Sequence, residues 1–218
     1  MIVCVFCVII SVIVKNKGGN IMYQIKKVAL DDAERLPIDR PQWGYTTYKK
    51  EVYAQIVREE GGFAVRFTVR EKNPRRLWRD HFSPVHEDSC VEFFANFSPD
   101  TTDWYINFEA NANGAMNLAF RRDRYETKQI LKEEVESFNI VSEVDRYFWR
   151  VTYHIGDEFI GKYYPDYDPE KADKIKCNLY KCGDRTLIPH YMAAFDLECT
   201  KPDFHRPEYF QLMEICRD

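Results

Sequence analysis

Glycine is scarce in this chain, at 9 of 218 residues, and proline reaches only 10. That excludes a collagen-like or low-complexity chain, and no Gly-Ser or Pro-rich stretch marks a linker. No internal repeat of solenoid length appears either. There is no excess of basic residues: 31 Lys and Arg stand against 35 Asp and Glu, for a formal net charge of −4. A nucleic-acid partner is therefore not expected, because binding a phosphate backbone needs a basic surface. No Walker loop, G-x-S-x-G, G-x-G-x-x-G or H-E-x-x-H motif occurs, and no C-x-x-C pair is found among the five cysteines after residue 21. What the chain has in quantity is aromatic residues, 15% of the total, with Tyr 14, Phe 15 and Trp 4. Rings in that number favour sheet interiors and ring-lined binding surfaces.

Residues 1–14 (MIVCVFCVIISVIV) form the one long apolar run. It is shorter than the roughly 20 residues a membrane span needs. No Lys or Arg precedes it and no A-x-A pattern follows, so it departs from a secretory signal. Gly18-Gly19-Asn20-Ile21 directly before Met22 is what a translated purine-rich ribosome-binding site would encode. Residues 1–21 are accordingly set apart as a leader, with a cytoplasmic domain at 22–218 starting from Met22. The alternative is an export signal or anchor in residues 1–14. Beyond the leader stand Cys90, Cys177, Cys182, Cys199 and Cys216, an odd and scattered set. A reduced compartment without intramolecular disulfides is the simpler expectation.

Period-two alternation dominates from Val52 onward. Strands are expected at 52–57 and 63–69, joined as a hairpin across Glu59-Glu60-Gly61-Gly62, and at 89–94. A second hairpin, 104–110 with 116–121, turns at Asn113-Gly114, the strongest short hairpin signal. Further strands are expected at 147–155, 176–181 and 209–215. Residues 127–138 break the pattern and allow one short helix or turn, while 73–87 read as a long loop. The expected fold is all-β: one antiparallel β-sandwich, jelly-roll or immunoglobulin-like, with at most one short helix.

Parity sorts the second hairpin into two faces. Trp104, Ile106, Phe108 and Ala110 share one side with Met116, Leu118 and Phe120. Tyr105, Asn107, Glu109, Asn117 and Arg121 share the other. Alternation alone favours a solvated outer face, the default of a half-buried antiparallel sheet. The same residues also supply the donors and acceptors that sugar hydroxyls require, with a ring for the apolar face of a pyranose. Trp149 and Tyr153 have apolar parity and belong in the core. Glu92 and Glu109 are the in-sheet carboxylates that hydrolysis of an O-glycosyl bond would use, although binding without catalysis is the preferred reading. Metal-ligating types cluster at Asp80, His81, His86, Glu87 and Asp88, and Asp166, Asp168 and Asp173 could offer oxygens to Ca²⁺. Both groups are equally readable as solvated loop residues, so the metal content stays open.

Four segments resemble the family-9 carbohydrate-binding modules. His86-Glu87-Asp88-Ser89-Cys90-Val91-Glu92-Phe93-Phe94 is similar to that family's D-S-x-V-E-x-F strand, and residues 104–114 to its Y-x-x-F-E-x-N-x-x-G hairpin. Asn178-Leu179-Tyr180 resembles its N-x-Y strand, and residues 204–212 its closing P-x-x-F-G-x-L element. The resemblance implies a β-sandwich that binds a mono- or oligosaccharide between aromatic rings, often beside a glycoside hydrolase, with structural Ca²⁺ in some members. It assigns Glu92 to the sugar-binding Glu and places Asn107 near its polar partner. The expected ligand-binding set is Glu92, Tyr105, Asn107, Glu109, Arg121, Asn178, Tyr180, His190, Phe204 and His205. The family's first stacking Trp has no counterpart before Glu92, where His86 stands. Phe204 and His205 occupy the late-loop ring position, and Trp78 could reach in from the long loop. Two other readings remain. One is a DOMON-type haem domain using Met116, Met192 and His190; the other is an accessory interaction domain that has lost sugar binding.

Overall fold

The computed structural model describes residues 22–217. Residues 1–21, expected from the sequence to be a leader, lie outside the described residues. The strands are β1 Gln24–Ile25, β2 Leu36–Pro37, β3 Arg40–Pro41, β4 Val52–Glu59, β5 Gly62–Val69, β6 Cys90–Asn96 and β7 Tyr105–Asn111. They continue as β8 Met116–Arg121, β9 Thr127–Gln129, β10 Val141–Val144, β11 Trp149–Gly156, β12 Lys174–Cys182, β13 Tyr191–Ala193 and β14 Gln211–Ile215. Two short helices, α1 Lys132–Val135 and α2 Asp157–Tyr163, join them.

The strands form two sheets. The larger has nine, in the order β1-β14-β12-β6-β7-β8-β9, with β13 pairing both β12 and β3. The smaller runs β10-β11-β5-β4-β2. Pairing is antiparallel apart from β1 on β14. Both expected hairpins form. In the β4–β5 turn Gly61 sits at φ +78°, a left-handed conformation that favours glycine. In the β7–β8 turn Gly114 sits at φ +79°, while Asn111 Oδ1 accepts from the amides of Asn113 at 3.0 Å and Ala115 at 3.1 Å.

The apolar faces of the sheets meet as parity requires. Phe93, Phe108 and Tyr153 stack through the middle of the core, at centroid distances of 6.1 and 6.0 Å. Trp149 and Tyr153 are fully buried in that core. The short element after β9 divides into α1 and a 3-10 turn over Glu136–Phe138. A second helix, α2, exceeds the expected limit of one. It is a two-turn amphipathic piece with Phe159 and Ile160 buried, Asp157 and Glu158 in its first turn and Lys162 in its last. That charge order suits the helix dipole, but seven residues carrying Gly161 are too few for a helical period to show. Among the described residues no helix is long and apolar enough to cross a membrane.

The outer face of the large sheet differs from expectation. At its centre it is not solvated: all seven residues of β6 and all seven of β7 are buried on both sides. A second apolar cluster covers it, with Phe94, Tyr105, Tyr180, Phe204 and Phe210 among its members. The long loop is held down by Asp88, which is fully buried. Asp88 pairs with Arg75 and accepts from the Trp78 amide and from Asn111 Nδ2, each at 2.9 Å.

Candidate functional site

Strand register arranges the polar residues in rows across the outer face. Tyr180, Glu92, Glu109 and Asn117 stand opposite one another on β12, β6, β7 and β8. The next row is Asn178, Phe94, Asn107 and Ala119, and Tyr105 pairs with Arg121 beyond it. The loops that cover the sheet leave a cleft of about 360 Å³ over the first row. Glu92, Glu109, Asn117, Arg121 and Cys182 contribute its floor.

Asn107 organises that floor from below. Its Nδ2 donates to Glu109 Oε1 at 2.6 Å, and its Oδ1 accepts from Arg121 Nε at 3.0 Å and the Ala119 amide at 3.1 Å. Asn117 Nδ2 donates to the other Glu109 oxygen at 3.1 Å. Glu109 and Arg121 are thus oriented before any ligand arrives. Glu92 is 4% exposed. Burial first, then the neighbouring Cys182 and Glu109, raise its pKa well above the usual carboxylate range. That shift favours the protonated carboxyl, the form that offers the cleft both a donor and an acceptor.

The rings come from elsewhere in the chain. Trp43 lies 5.2 Å from Phe204 and 5.6 Å from Tyr191, centroid to centroid, and the three line one wall. Trp43 Nε1 donates to the Cys199 carbonyl at 2.9 Å. Its backbone adopts φ +52°, an uncommon left-handed conformation for a bulky residue that here presents the ring to the cleft. His205, Asp203 and Arg124 also line the cleft, the last two bonded at 3.2 Å. His205 Nδ1 and the Tyr105 hydroxyl pair at 2.9 Å. Burial, aided by Arg121 and Arg124, lowers the pKa of His205 to about 3, so its ring is neutral.

Of the expected site residues, Glu92, Glu109, Arg121, Phe204 and His205 line the cleft. Tyr105, Asn107, Asn178 and Tyr180 lie beneath it as support. Tyr180 stacks on Phe204 at 4.1 Å, and Asn178 holds the returning chain by bonding both the amide and the carbonyl of Phe195 at 3.1 Å. His190 does not line the cleft. It stacks on Tyr48 at 3.6 Å on the inter-sheet side of β12, donates from Nδ1 to the Ile188 carbonyl at 2.7 Å and accepts from Lys181 Nζ at 2.6 Å. Trp78 does not line it either; its Nε1 donates to Glu87 at 3.3 Å. Sequence reasoning missed Trp43, Tyr191, Arg124, Asp184 and Asp203. Trp43 had one usable signal, the Pro41-Gln42-Trp43-Gly44 turn that thrusts a ring outward.

The loop metal cluster does not assemble. His81 Nδ1 accepts from the Met116 amide at 3.1 Å, Asp88 pairs with Arg75, and Glu87 pairs with Arg185. Asp166, Asp168 and Asp173 share one depression with Asp100, but Lys171 bonds Asp168 and Lys174 bonds Asp100, each at 2.7 Å. Two ammonium groups there do not fit the oxygen cage that Ca²⁺ requires. Haem ligation fits no better. Met116 and Met192 fill the inter-sheet core, and His190 is held by Tyr48 and Lys181.

Similar folds have been solved. A candidate carbohydrate-binding protein from Bacteroides uniformis superposes with a TM-score of 0.76 at 23% identity, over 88% of this chain and 97% of that one. A family-9 carbohydrate-binding module from Caldicellulosiruptor kristjanssonii in complex with glucose gives 0.63 at 10% identity, over 88% and 94%. The same organism's module in complex with cellotriose gives 0.62 at 10%, over 88% and 92%. Comparison with curated proteins yields no match. The sequence model of carbohydrate-binding family 9 matches residues 24–215, which span both sheets and the whole cleft, and the chain belongs to that family.

Proposed function

We propose that the cleft on the large sheet binds a mono- or oligosaccharide without cleaving it. The observation that carries this reading is the pairing, in one cleft, of a ring wall with a pre-oriented polar floor. The Trp43 side packs the C–H face of a pyranose, while Glu92, Glu109, Asn117 and Arg121 exchange hydrogen bonds with its hydroxyls. Catalysis is poorly served. Glycosidase carboxylates flank the scissile bond, whereas Glu92 and Glu109 are neighbours on one floor and both oxygens of Glu109 are engaged. Glucose and cellotriose, the ligands of the solved family members, make gluco-configured sugars the first to try. A companion glycoside hydrolase acting on the same sugar is part of the proposal, as is a cytoplasmic domain translated from Met22. Mass spectrometry of the native protein tests that start; a mature terminus shortly after Val14, found outside the cell, would overturn it.

A glycan array followed by calorimetry tests the central reading. Affinity on the order of micromolar to millimolar is expected, since sugar hydroxyls compete with water. Trp43→Ala should cost about 1–3 kcal/mol of binding through lost ring contact. Glu92→Ala should cost about 1–3 kcal/mol by leaving a hydroxyl unpaired, and Asn107→Ala should weaken binding by releasing Glu109 and Arg121. Unchanged affinity in all three would move the site off this face. A folded protein that binds no sugar would favour the accessory-domain reading.

A further inference from the structure

One cluster at the floor of the cleft, which shares Glu92 with the sugar reading, offers a chemistry that reading does not use. Cys90 and Cys182 stand directly opposite on β6 and β12, and Glu92, two residues along β6, shares their face. One ligand atom from each lies within 4.8 Å of the others, and all three residues are buried. The Cys182 thiol approaches Glu92 Oε1 at 3.0 Å. Among the described residues this is the one group of three His, Cys, Asp or Glu donors that converges in this way.

We propose that Cys90, Cys182 and Glu92 bind a zinc-class divalent ion at the floor of the cleft, with a fourth coordination position open to it. Zinc bond lengths of about 2.0–2.3 Å put neighbouring tetrahedral ligand atoms roughly 3.3–3.8 Å apart. The three donors reach that spacing by side-chain rotation, because the sheet already holds their Cα atoms in register. Two sulfurs and one oxygen select a borderline or soft ion over Ca²⁺ or Mg²⁺. Cys182 and Glu92 both line the cleft, which supplies the entry path and the fourth ligand, a water. A divalent cation also resolves an electrostatic conflict. Burial pushes the Cys90 thiol up to about 11 and raises Glu92, while the hydrogen bond with Cys90, then burial, raises Cys182. Binding would replace their protons with the metal, so uptake releases protons and strengthens with pH.

The test uses the full chain, reduced, stripped with a chelator and assayed without sugar, so its outcome is independent of the sugar reading. Zn²⁺ is titrated in competition with a chromophoric chelator, and Co²⁺ uptake is followed by its thiolate charge-transfer absorption. One equivalent should bind, with the charge-transfer band present and protons released. Glu92→Gln, which keeps the shape of the protonated acid, and Cys182→Ser should each weaken binding more than about 100-fold, beyond the usual effect of losing an outer partner. Cys216→Ser should leave it unchanged. A folded, reduced chain that takes up no Zn²⁺ and shows no thiolate-to-cobalt band would overturn the proposal. So would metal uptake indifferent to both variants. Loss of two thiols to a Cys90–Cys182 disulfide, in a protein that takes no metal when reduced, would overturn it in favour of a redox pair.

Discussion

Lowering the pH from 6.5 to 4.5 should destabilise the folded protein in urea denaturation, by no more than about 5 kcal/mol. His205 and His190 are responsible. Burial and neighbouring cations lower both to about 3 from the usual 6.5. A base whose pKa is depressed by folding contributes stability above its unfolded pKa and loses it as pH falls toward the folded one. Each neutral imidazole therefore gives a slope of about 1.4 kcal/mol per pH unit below 6.5. Glu92 works in the opposite sense. Its folded pKa is raised, so its contribution is complete below 4.5 and is lost as pH rises. Where the folded protein keeps Glu92 protonated, it offsets one histidine and leaves one net proton to be taken up on unfolding. Glu92→Gln removes that offset and should steepen the slope, while His205→Asn should flatten it. A profile that stays level from 6.5 to 4.5 in both the parent and Glu92→Gln would contradict the assignment.

Asp88→Ala should destabilise the protein by about 3–5 kcal/mol, the range for removing one partner of a buried ion pair. The side chain is fully enclosed and serves three groups: Arg75, the Trp78 amide and Asn111 Nδ2. Truncation leaves the part-buried Arg75 guanidinium unpaired and takes an acceptor from the Trp78 amide and Asn111 Nδ2. Asp88→Asn keeps the volume and some of the hydrogen bonding and should cost less. Because Asp88 precedes β6 and follows the turn that carries His86 to the cleft, sugar affinity should fall as well. Urea midpoints and calorimetry on the same samples separate the two effects. A variant within about 1 kcal/mol of the parent would show that the long loop is held elsewhere.

Much of this molecule is written in local pattern. Period two marked every long strand, because a sheet with one face on a core sorts side chains by parity. Asn113-Gly114 set the register of β7 and β8, and that register brings Glu109 to Asn117 and Tyr105 to Arg121. The polar set of Glu92, Asn107, Glu109 and Arg121 was legible for the same reason. Helix α2 was not, since two turns carry too little periodicity to stand out.

What covers a face, and which strands lie side by side, has no local signature. Alternation gave the outer face of β7 to water, yet the chain around Phe204 and the loop pinned by Asp88 bury it. Only the assembled sheet sets β12 against β6 and joins Cys182 to Glu92, 90 residues apart in the chain. Only the folded loops bring Trp43 against Phe204 and Tyr191 to make the ring wall. The sequence by itself determined which residues alternate, where the chain turns and which polar groups share a strand face. Tertiary structure decided which of them meet a ligand and which support others, because burial, register between distant strands and loop closure depend on contacts between residues far apart in the chain.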